Sequence, residues 1–129
     1  MKLAFKYPEM FGAVVSYDAL LSDAKKFRKE EAKLFVKTFG DDAGFARSDP
    51  VQLLQKNAEK IHRQAIQIVV TDDEAEILEG NRTLHRMLQT FVIKHDFGEL
   101  TGVAHKKPAI YEKAALGAFQ FTAGALAKP

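Results

Sequence analysis

Along the chain the spacing of apolar residues alternates between two patterns. Residues 2–7 have the character of the end of a helix, stopped near Pro8. The run Gly12 to Tyr17 (GAVVSY) is short, apolar and rich in β-branched residues, as in a strand of a parallel sheet buried on both faces. From Asp23 to Thr38 the apolar residues Phe27, Leu34 and Phe35 fall at helical spacing, with Ser22 as the expected N-cap and Gly40 as the stop. Residues 40–49 (GDDAGFARSD) predict a turn-rich connection, and Asp49-Pro50 predicts a helix start, acid as cap and proline at the first helical position. Leu54, Ala58 and Ile61 make one face of that helix, and Ile66 to Val70 (IQIVV) form the clearest strand. Leu84, Met87, Leu88 and Phe91 then mark an amphipathic helix. Residues 95–100 (HDFGEL) predict a third strand, weakened by Gly98. The segment GVAHKKP is a loop, and Pro108 opens a last, alanine-rich helix that runs to Leu126.

Strands alternating with helices predict right-handed parallel βαβ units. The expected class is therefore α/β, about three parallel strands with flanking helices, in a single domain over residues 1–129. Three strands are few for such a sheet, and the chain opens inside a helix with neither cap nor preceding strand. Both features predict a partial domain, cut from a larger one.

Composition narrows the function more than the fold. At 47% hydrophobic residues the chain has material for a core, so disorder is excluded as its class. The net charge of +2 comes from 19 basic and 17 acidic side chains, which gives no concentrated excess of cations for nucleic acid. The basic cluster Lys25, Lys26, Arg28, Lys29 is followed at once by Glu30 and Glu31, as on a solvated helix face. With no cysteine there is neither disulfide nor thiolate chemistry. The start, MKLAFKYPEMF, is not a signal peptide, and no stretch approaches the about 20 apolar residues of a membrane span. The chain as given is expected in the cytoplasm, while a longer parent could be secreted. No metal or cofactor is expected: His62, His85 and His95 lack paired ligand spacing, and TDDEAE lacks the pattern of a dedicated Ca²⁺ loop.

Ligands of open parallel sheets bind beyond the carboxyl ends of the strands. Two chemical features fall there: the acidic loop Asp72, Asp73, Glu74, Glu76 after IQIVV, and His105 in the loop after the third strand. An acid and a histidine on one sheet edge are two members of a nucleophile–histidine–acid relay. The acid orients the imidazole, and the imidazole moves the proton of a hydroxyl nucleophile. Acid before histidine is also the chain order of α/β hydrolases.

The stretches LAFKYPEMFGAVVSY, SDPVQLLQKNAEKI, IQIVVTDDEAEILEGNRTLHRML and LTGVAHKKPAIYEK together resemble the esterase D family of α/β hydrolases. That family includes S-formylglutathione hydrolase, the mycolyltransferase antigens and feruloyl or acetylxylan esterase modules. The resemblance covers nearly the whole chain and implies the C-terminal portion of an α/β-hydrolase fold. It implies His105 as the catalytic histidine and a triad acid in the 72–76 loop. Asp73 and Glu74 rank together for that role and Glu76 next, because the loop is about one residue longer than the family pattern. The G-x-S-x-G turn of the nucleophile would stand a few residues before Met1, and none occurs among these residues. Ser16, Ser22 and Ser48 sit in no such turn. The expected function is thus part of a serine carboxylesterase acting on a small-molecule ester, inactive alone. Two other readings compete. One is a non-catalytic α/β module that acts through partner binding or self-association, with an uncovered GAVVSY edge strand as the pairing template. The other is a phosphate-binding flavodoxin-like domain, disfavoured by the acidic loops YDALLSD and TDDEAE.

Overall fold

A computed structural model describes residues 1–21 and 23–127. Helix α1 (Lys2–Lys6) and a 3₁₀ turn (Pro8–Met10) lead into strand β1 (Ala13–Tyr17). Helices α2 (Ala24–Glu30), α3 (Ala32–Phe39), α4 (Asp42–Ala46) and α5 (Pro50–Ile61) follow, and then β2 (Ala65–Thr71). Helix α6 (Ala75–Thr90), β3 (Asp96–Leu100) and α7 (Lys107–Leu126) complete the chain. The sheet order is β1-β2-β3 with both pairs parallel, so the expected α/β architecture of three parallel strands with flanking helices is present. Central β2 is the most apolar strand because it is covered on both faces. Ile66 and Ile68 join Phe5, Leu54, Ile61, Leu84 and Leu88 of α1, α5 and α6 in one buried cluster, and Val70 is fully buried as well. Helix α7 packs on β1 and β2, where Tyr17 and Tyr111 meet edge to face at 5.5 Å. Strand β1 lies at one edge of the sheet.

The structure departs from the sequence expectation between β1 and β2. The single helix expected over 23–38 is two, because Glu31 leaves the helical region with φ −133° and ψ 50°. At about 100° per residue a straight helix would set Phe27 and Phe39 about 120° apart. The break brings their rings to 6.0 Å, in a cluster with Phe35 and Phe45 that no single helical stripe could assemble. Ser22, the expected cap, lies outside the described residues, and Asp23 caps α2 by accepting from the Lys26 N–H at 2.9 Å. The expected loop at 40–49 contains α4, capped by Asp41. Its Gly44 permits the tight approach to α3, since a Cβ there would stand 1.8 Å from the Phe39 carbonyl oxygen. Asp49 caps α5 as expected, accepting from the Val51 N–H at 3.1 Å.

The end of α6 carries a local strain. The Val92 N–H donates to the Gln89 carbonyl at 2.9 Å and the Ile93 N–H to the Leu88 carbonyl at 2.8 Å, the double bond of a Schellman turn. That turn holds Val92 at φ 57°, a left-handed conformation costly for a β-branched residue. Its side chain is 80% exposed and adds little packing in return. Val92→Gly should therefore raise stability by about 0.5–1 kcal/mol, the relief of strain exceeding the entropy glycine adds to the unfolded chain. A higher urea midpoint at unchanged slope would show it.

A histidine pair fastens β3 to α6. His95 Nδ1 donates to the Ile93 carbonyl at 2.7 Å, which leaves its Nε2 to accept from His85 Nδ1 at 2.7 Å. The His85 ring stacks on Phe97 at 4.3 Å. Burial first, then the neighbouring His95 and Arg86, hold the His85 imidazole below its ordinary value of 6.5, while Glu99 opposes them. Because the unfolded chain takes this proton more readily, the stabilisation is fully present above about pH 6.5 and is lost as pH falls toward the lower folded value. The urea midpoint should drop between about pH 7.5 and 5.5, and the drop should shrink in His85→Phe, which keeps the stack on Phe97.

Candidate functional site

Three loops converge at the carboxyl end of the sheet, one after each strand. Asp18 immediately follows β1, at φ 42°, a left-handed conformation that Asp tolerates better than most residues. Its N–H donates to the Val69 carbonyl at 2.9 Å, so the strand ladder itself sets its place. Its side chain is only 3% exposed. Thr71, the last residue of β2, holds that carboxylate twice. Its main-chain N–H donates to Oδ1 at 2.6 Å and its hydroxyl to Oδ2 at 2.8 Å. The loop after β3 then delivers His105, whose Nδ1 stands 2.8 Å from Asp18 Oδ2. That ring is half-buried, and Asp18 is its hydrogen-bond partner among the described residues.

The acids of the loop after β2 occupy other positions. Asp73 does reach His105, but its Oδ2 accepts from the main-chain N–H at 2.9 Å. Asp72 accepts from the Gly102 N–H at 2.9 Å. Glu74 is exposed at the N-cap position of α6 and makes no capping bond with its side chain. Glu76, in the first turn of α6, pairs with Lys26 of α2. The structure thus joins His105 and Asp73 through backbone, and brings to the ring an acid that sequence reasoning passed over. The available signal was position. Asp18 follows a parallel strand at its carboxyl end, where ligands and catalytic groups of such sheets gather. Among the serines, Ser16 is buried on β1 and Ser48 lies between α4 and α5.

A cavity of about 470 Å³ opens beside the ring, lined by Tyr17, Asp18, His105, Lys107, Ile110 and Tyr111. Its aromatic and aliphatic walls suit an apolar group, and Lys107 places a cation at the rim. Burial and the neighbouring Tyr111 push the Tyr17 phenol above its ordinary value of 10.0, so it remains a neutral hydroxyl near pH 7. Among the described residues no group of three or more metal-ligating side chains forms, and no helix is long and apolar enough to cross a membrane.

Comparison with solved structures adds a likeness of fold. A solved structure of a ferulic acid esterase superposes with a TM-score of 0.65 over 96% of this chain, at 16% sequence identity. The chain has an esterase-like fold. It spans 44% of that structure's chain, less than half its length. No family model and no curated protein matches the sequence. At this identity the likeness establishes the arrangement of strands and helices, while the chemistry rests on the site itself.

Proposed function

We propose that these residues supply the histidine side of a serine-type carboxylesterase of the α/β-hydrolase class, His105 acting as general base and then general acid. The observation that carries the reading is the His105 ring at the carboxyl edge of a parallel sheet. A buried carboxylate engages its Nδ1, and Nε2 is left without a partner among the described residues, beside the cavity. In the reaction a serine hydroxyl attacks the ester carbonyl while its proton passes to His105 Nε2. The tetrahedral intermediate collapses, the carbon–oxygen bond to the alcohol breaks, and the imidazolium returns the proton to the departing oxygen. Water then repeats the sequence on the acyl-serine and releases the acid. The carboxylate at Nδ1 stabilises the imidazolium in both halves. The serine and the oxyanion donors come from a segment other than these residues, since no G-x-S-x-G stands among them.

The test is to express the longest in-frame product containing these residues and assay an activated acetyl ester. The expected result is a G-x-S-x-G turn upstream and a turnover that depends on His105, with the 129-residue chain alone inactive. Turnover by the short chain at wild-type rate, or a longest product with no serine turn, would defeat the proposal. The resemblance of LTGVAHKKPAIYEK to the esterase D family and the fold likeness to a ferulic acid esterase both support it.

A further inference from the structure

We infer that Asp18 is the positioning residue that sets the tautomer and orientation of His105, and that Asp72 and Asp73 hold only the main chain of the histidine's loop. This rests on the relay proposed for His105. It moves the acid's role from the loop after β2 to the end of β1.

The assignment follows from which atoms can donate. An ionised carboxylate only accepts, so the hydrogen of the 2.8 Å contact between Asp18 Oδ2 and the ring belongs to His105 Nδ1. In a neutral imidazole that leaves Nε2 as the acceptor, the form a general base needs toward a hydroxyl. Asp18 is in turn fixed from behind by Thr71, through one main-chain and one hydroxyl donor. Its burial excludes the water that would compete for the same contact. Asp73 meets His105 at its main-chain N–H and Asp72 meets Gly102 in the same way, so the ring's own contact is with Asp18. Those two bonds tie residues 102 and 105 to the end of β2. They bring the histidine within reach of Asp18 but leave its ring free to choose a tautomer.

Thr71 makes the distinction sharp. Its main-chain N–H can only donate, so in Asp18→Asn the amide oxygen must turn toward Thr71. The NH₂ then takes the place of Oδ2 and points at His105. An NH₂ can donate only to an unprotonated Nδ1, which forces the ring proton onto Nε2. In Asp73→Asn the exposed amide is free to aim its oxygen at the His105 N–H, and the ring is unaffected.

The experiment records long-range proton–nitrogen correlations of the histidine rings in ¹⁵N-labelled chain at about pH 8.5, well above the ordinary histidine value. The His105 signal is assigned by its absence in His105→Gln. We expect Nδ1–H in the wild type and in Asp73→Asn, and Nε2–H in Asp18→Asn. A wild-type ring protonated at Nε2, a tautomer that flips in Asp73→Asn, or a folded Asp18→Asn that retains Nδ1–H would each overturn the inference. If Asp18→Asn does not fold, the wild-type and Asp73→Asn spectra decide. The tautomer is read without turnover, so a failure of ester hydrolysis in the longer product leaves it standing. Equally, a wrong tautomer removes Asp18 without touching the proposed reaction.

Discussion

His105→Ala, made in an in-frame product with the proposed upstream serine turn, should lower kcat for an activated ester by roughly 10⁴- to 10⁶-fold. At 1.36 kcal/mol per tenfold this is roughly 5–8 kcal/mol of transition-state stabilisation. The effect should be large because, in the proposed relay, one ring performs both proton transfers. Among the described residues the groups around it are an acceptor already engaged by Thr71, two phenols and an ammonium at the cavity rim. KM should change little, since the imidazole acts on a proton in flight and not on the bound ester. The residual rate should come from the oxyanion donors and from binding. Steady-state kinetics on an activated ester would measure both constants, and a kcat within tenfold of wild type would remove His105 from the relay. Asp73→Asn should fall far short of this loss, because the contact it weakens is to main chain.

Most of the fold was legible because the strands and the last helices advertise themselves. The IQIVV run could only be a strand covered on both faces, and β2 is that strand. Pro50 and Pro108 each mark the first turn of a helix. The segment between β1 and β2 was less legible for a tertiary reason. Phe27, Phe35, Phe39 and Phe45 gather into one cluster, and the chain breaks at Glu31 and again around Gly40 to let them meet. No proline or glycine stands at the first break to announce it. The site divides in the same way. His105 was legible as a candidate from its loop and its flanking motif, and the structure places its ring at the carboxyl edge of the sheet. The contact between Asp18 and His105 spans 87 positions and depends on a left-handed turn at the end of β1, which nothing in local spacing encodes. An acid-rich loop drew attention to residues 72–76, but acids there serve α2, the main chain of the histidine's loop and solvent.

Leu84→Ala should cost about 3–5 kcal/mol, a large share of the 5–15 kcal/mol that holds a domain of this size. Leu84 is fully buried at the middle of α6, in the cluster that contains Leu54, Ile61, Ile68, Leu88 and Ile93. Its loss removes contacts with β2 and α5 together and leaves a cavity that two flanking elements, a strand and a helix, cannot close without distorting the sheet. Phe5→Ala is the instructive comparison. Phe5 is as deeply buried, but it sits on a five-residue helix near the chain start, held by the Asn57 amide on the Phe5 carbonyl at 2.7 Å and by Gln64 on the Ala4 carbonyl at 3.0 Å. That helix can detach on its own, so part of the cost can appear as local opening. Equilibrium urea unfolding combined with amide exchange separates the two cases. Leu84→Ala should lower the midpoint and accelerate exchange throughout β2 and α6, whereas Phe5→Ala should accelerate it first in α1 and α5. Uniform exchange in both variants would mean that α1 is an inseparable part of the cooperative core. The site at the opposite end of the same strands would then depend on it, since β2 carries Thr71 and Thr71 holds Asp18.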